Sequence, residues 1–87
     1  MKLDYLAELG AENKKDLYLG GKQITNLKNI QKYDQVENLW LDENPLGSLN
    51  NIQSLKLKTL NVDYAEIVLL KPLRNMVSLE ELTADSN

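Results

Sequence analysis

The sequence predicts an α/β fold of stacked repeats, with short parallel strands on one face and 3₁₀ or irregular helical returns on the other. Three observations carry this. In VENLWLDENPLGSLNNIQSL the apolar residues fall at Val36, Leu39, Leu41, Leu46, Leu49, Ile52 and Leu55, which follows neither the helical nor the strand period throughout. Asn44 divides that stretch into a strand-like half and a half with apolar residues at every third position. The unit also recurs, with starts at residues 14, 36, 57 and 79 and the last unit partial. Such a period is the mark of a repeat array, in which each unit buries its apolar side against its neighbours.

Residues 3 to 9 read as a short helix. Leu3, Leu6 and Leu9 lie on or near one face, Asp4 can serve the amino end and Gly10 can stop it. Residues 1–13 are therefore expected to form a helical cap and half repeat, and 14–87 the repeats proper. Each unit begins with a strand, over Leu17–Leu19, Leu39–Leu41, Leu60–Val62 and Leu82–Ala84. Alternation turns the leucines inward and Tyr18, Trp40, Asn61 and Thr83 outward. The chain then turns at Gly20-Gly21, Glu43-Asn44-Pro45 or Tyr64-Ala65. It returns through Ile24, Leu27 and Ile30, through Leu46, Leu49 and Ile52, or through Ile67, Leu70 and Leu73. Apolar residues at every third position suit 3₁₀ geometry. The return side is the wider one, so the strands are expected to line a concave face.

Asn44 is expected to be structural, because its amide can donate to and accept from backbone groups that the turn would otherwise bury unpaired. Lys22 and Ala65 hold the same slot in the flanking units and cannot do this, so their turns must differ or be looser. Gly20 and Gly21 would give the first turn a backbone shape that other residues resist.

Composition removes several functions. The chain has 87 residues, which allows one domain, and a net charge of −3, which disfavours a nucleic-acid backbone as partner. It has no cysteine and no histidine, so thiolate metal sites, disulfides and the commonest general base are missing. No glycine-rich phosphate loop is present. Nowhere do enough apolar residues run together for a membrane span or a signal region. The expectation is a non-enzyme without a cofactor, away from the membrane, cytoplasmic or nuclear.

The repeat, and LWLDENPL at 39–46 above all, resembles the 22-residue class of leucine-rich repeats. That class occurs in nuclear regulators of protein phosphatase 1, an axonemal dynein light chain and bacterial internalins. The resemblance covers about residues 14 to 87, with departures at Lys14, Lys22 and Ala65. It implies a right-handed, curved solenoid that recognises other proteins, without implying which.

The outward strand positions and the two after them define a face: Asp16, Tyr18, Gly20 and Gly21; Asn38, Trp40, Asp42 and Glu43; Thr59, Asn61, Asp63 and Tyr64; Glu81, Thr83, Asp85 and Ser86. Six of these are acidic and none basic, whereas the other residues carry ten basic and seven acidic groups. Such a face would steer a basic or amphipathic protein segment, in a salt-dependent way. Trp40 either anchors that partner or covers its neighbours' backbone. The column Asp42, Asp63, Asp85 is a docking site for Lys or Arg or a solvated surface, and more remotely a divalent-cation site. A further alternative is architectural: the last unit is a strand alone, so that edge could pair with another copy or a capping partner.

Overall fold

A computed structural model describes residues 13–87. The cap helix expected over 3–9 and almost all of the half repeat fall outside them. Among the described residues there are four strands: β1 Asp16–Tyr18, β2 Asn38–Trp40, β3 Thr59–Asn61 and β4 Glu81–Thr83. They form one parallel sheet in the order β1-β2-β3-β4. The register is uniform, setting Leu17 beside Leu39, Leu39 beside Leu60, and Leu60 beside Leu82.

Each strand starts one residue earlier than the leucine spacing suggests, and the hydrogen bonds show why. The carbonyl of Lys15 accepts from both Glu37 and Asn38, that of Glu37 from Lys58 and Thr59, and that of Lys58 from Glu80 and Glu81. These shared acceptors pin the residue before each strand to its neighbour. At the other end pairing continues past the strand, from Leu19 N to Trp40 O, Leu41 N to Asn61 O and Val62 N to Thr83 O, each 2.8 Å. Leu19, Leu41 and Val62 therefore stay inward, as alternation requires.

The core lies between the sheet and the returns. Leu17, Leu39 and Leu60 supply its strand side, and Ile24, Leu27, Ile30, Leu46, Leu49, Ile52 and Ile67 its return side, all buried. The returns are mostly irregular, with 3₁₀ geometry confined to Ile30–Tyr33, Ile52–Ser54 and Lys71–Leu73. Asn29 (φ 69°) and Asn51 (φ 83°) introduce the first two from the left-handed region, which asparagine enters more readily than most residues. One repeat later the slot holds Pro72, whose ring locks φ negative. The third 3₁₀ turn accordingly ends at Leu73, the slot where the first two begin. Among the described residues no helix is long and apolar enough to cross a membrane.

Candidate binding face

Register and alternation assemble the outward residues into rows that cross the strands. The first row is Asp16, Asn38, Thr59 and Glu81, and the second is Tyr18, Trp40, Asn61 and Thr83. In the first, Asn38 Nδ2 donates to Asp16 Oδ1 at 2.7 Å, which orients that carboxylate. In the second, Tyr18 and Trp40 stack with ring centroids 4.3 Å apart and planes 16° from parallel. Tyr18 is 65% exposed while Trp40 is half-buried. The two rings form one stacked plate, more open to solvent at Tyr18 than at Trp40. Further along the row, Asn61 Oδ1 accepts from the N–H of Asp63 at 2.9 Å, turning its side chain back onto its own strand end.

The next two rows, Gly20, Asp42, Asp63, Asp85 and Gly21, Glu43, Tyr64, Ser86, follow from ladder bonds that persist into the turns. Gly21 N donates to Asp42 O, Glu43 N to Asp63 O and Tyr64 N to Asp85 O, at 2.9 to 3.0 Å. All four residues of the last row adopt positive φ, between 55° and 61°. Gly21 thus takes the left-handed shape expected of the first turn, and Glu43, Tyr64 and Ser86 take the same shape at a strain cost. At Gly20 a Cβ would lie 2.9 Å from both carboxylate oxygens of Asp42, the end of a side chain that can turn aside. Asp63 Oδ1 is engaged differently, accepting from the N–H of Asp85 at 2.7 Å. Among the described residues no three acidic side chains gather into a cation site.

The candidate residues thus separate by position. Asp16, Tyr18, Asn38 and Trp40 are brought together over β1 and β2. Asp42, Glu43, Asp63 and Tyr64 follow at the carboxyl ends of the strands, and Glu81, Thr83 and Asp85 lie exposed on and after β4. Tyr64, 60% exposed, stands in the outermost row, apart from the Tyr18–Trp40 stack.

Asn44 is the buried polar residue that holds this face to its turns. Its Oδ1 accepts from the N–H groups of Lys22 (2.9 Å) and Ile24 (3.0 Å). Its Nδ2 donates to the carbonyls of Leu19 (2.8 Å), Leu41 (2.9 Å) and Asp42 (3.2 Å). Asn87 repeats the arrangement two units on, accepting from Ala65 and Ile67 at 2.9 Å each and donating to Val62 and Asp85. Each asparagine therefore serves the turn of the unit before it. Those served turns carry a left-handed residue, Gln23 (φ 56°) or Glu66 (φ 58°), between the two N–H groups, and this aims both at one oxygen. The intervening turn holds Pro45 at that slot, which cannot take positive φ. There Leu46 N bonds Asn44 O at 2.8 Å and Gly47 N bonds Ala65 O at 3.2 Å. The turns at Lys22 and Ala65 do differ from the one at Asn44, but contrary to expectation they are the two that an asparagine serves, because its side chain reaches back one unit.

Two features escaped the sequence reading. Lys15, Glu37 and Lys58 sit one repeat apart at the strand entrances, with Glu37 4.0 Å from Lys15 and 3.3 Å from Lys58. Glu80 continues the alternation in sign, and a repeat-by-repeat reading of this column would have found it. The other feature is the run Ile67 to Leu70, in which Val68 and Leu69 face water. No family model, curated protein or solved structure matches this chain.

Proposed function

We propose that the chain is a leucine-rich-repeat module that binds a basic or amphipathic protein segment on its strand face, without catalysing a reaction. The observation that carries the reading is the Tyr18–Trp40 stack, half open to solvent and set beside rows of carboxylates without a cation among them. Stacked aromatic rings bury a large area for few lost rotamers, the property that makes tyrosine and tryptophan interface anchors. A lysine or arginine over the plate would gain a cation–π contact, and Asp16, Asp42 and Asp63 would pair with its neighbours. The repeat spacing and the Asn44 bonds to backbone groups support the family reading, in which the strands line a concave binding surface of a right-handed solenoid.

A short peptide rich in arginine and leucine, labelled for fluorescence anisotropy, tests this. Binding is expected to weaken with added salt, and Trp40→Ala is expected to cost about 2 kcal/mol or more. Affinity of the arginine peptide that is indifferent to salt, or unchanged in the variant, would overturn the proposal.

A second reading has one observation in its favour. Leu82 is 40% exposed, whereas Leu17, Leu39 and Leu60 in the same slot are at most 5% exposed. In that reading the β4 side of the sheet packs against a second copy or a capping partner. Sedimentation at rising concentration, with Leu82→Glu as the control, tests it; a monomer throughout removes the second copy.

A further inference from the structure

The return side carries two residues that the fold does not call for. Val68 and Leu69 are 83% and 67% exposed. The same slots hold Thr25 and Asn26 in the first unit and Gly47 and Ser48 in the second, all exposed. Small or polar residues therefore suffice there even where a further unit packs alongside, so core burial does not account for two aliphatic side chains facing water. Beside them opens a depression of about 640 Å³. Gly47 and Ser48 of the second return form part of one wall, and Val68, Leu69, Lys71 and Arg74 part of the other. Gly47 contributes no side chain, which leaves the space open. Among the described residues, both charged side chains lining the depression are cations and no carboxylate lines it.

We propose that this groove between the second and third returns docks an acidic protein segment. The segment places an aliphatic or aromatic anchor against Val68 and Leu69 and its carboxylates against Lys71 and Arg74. Charge selects that occupant: a basic segment of the kind suited to the strand face would meet two like charges here. An apolar anchor supplies the affinity, since it removes surface from water on both partners. The strand face and the return groove then take partners of opposite charge, and one chain can hold both at once. The inference stands on Val68, Leu69, Lys71 and Arg74 and is independent of Trp40.

Two labelled peptides test it on the full chain, one with leucine and phenylalanine flanked by glutamates and one with the same apolar residues flanked by lysines. The glutamate peptide is expected to bind this groove, with the lysine peptide much weaker there. Val68→Thr with Leu69→Asn restores the residues of the first unit and leaves the core alone. That double variant is expected to weaken binding of the glutamate peptide at least about tenfold. Lys71→Glu with Arg74→Glu is expected to weaken it similarly, with circular dichroism unchanged, and Trp40→Ala is expected to leave it intact. The proposal is overturned if the Thr-Asn variant binds as before, or if binding is lost with Trp40→Ala. It is also overturned if the chain is a dimer that the Thr-Asn variant makes monomeric while no peptide binds, since the occupant is then a second copy.

Discussion

At the scale of single residues, Asn44 carries more of the structure than any other polar side chain described. One carboxamide accepts from two N–H groups and shares its two N–H hydrogens among three carbonyls, drawn from two successive units. Its removal leaves several of these groups inside the protein without a partner, and each costs far more unpaired than its bond contributes. Asn44→Ala is therefore expected to lower stability by about 2–4 kcal/mol in urea unfolding; a loss below about 1 kcal/mol would mean that water or relaxed backbone replaces the amide. The left-handed turn residues form a second, opposite test. Nothing lies within 4 Å of a Cβ built on Gly21, which sits at φ +61°, so Gly21→Ala isolates the backbone term and is expected to cost about 1 kcal/mol. Glu66→Gly, at φ 58° and away from the strand face, is expected to raise stability by about 0.5–1 kcal/mol. The same denaturation series reads both, and equal signs would contradict the strain argument.

At the scale of elements, strands of three residues contribute little individually, and what makes a sheet of them is the row of leucines beneath. Leu39 and Leu60 are completely buried, so truncating either to alanine is expected to cost about 2–5 kcal/mol. Above the strands, Tyr18 and Trp40 contribute by contact with each other. A double-mutant cycle over Tyr18→Ala and Trp40→Ala is expected to show a coupling of about 0.5–1.5 kcal/mol in unfolding, and additive losses would show that the stack adds nothing to the sheet. By contrast, Glu37 between Lys15 and Lys58 is a partly exposed ion-pair network, and exposed pairs of this sort are worth at most about 1 kcal/mol.

At the scale of the whole molecule, charge is distributed by face, with six carboxylates and no cation on the strand-side set and two cations lining the return groove. Long-range attraction of a basic ligand should therefore fall as salt shortens the screening length. Association rates for the arginine-rich peptide are expected to drop several-fold or more between low and physiological salt, and stopped-flow measurement of a rate indifferent to salt would argue against steering by this face.

Much of this was legible in the residues. The leucine spacing, read two and three positions at a time, locates every strand to within one residue, because burial of apolar side chains is what selects strand and return. It also identifies Asn44, because an asparagine at the turn between the two apolar halves of the unit must find backbone partners. Which partners it finds was not legible: Asn44 reaches the turn of the preceding unit, and Pro45 decides that its own turn closes by other bonds. The same holds for Tyr18 on Trp40, for Asp42 above Gly20 and for the Lys15–Glu37–Lys58 network. Each joins residues a full repeat apart, and their meeting depends on the register of one unit on the next. Periodicity is a one-dimensional signal of which atoms must leave water, so the sequence determined the repeat, its core and its outward residues. Distances and hydrogen-bond directions between neighbouring units exist only once those units are stacked, so tertiary structure alone decided the aromatic plate, the alternating turns and the groove on the return side.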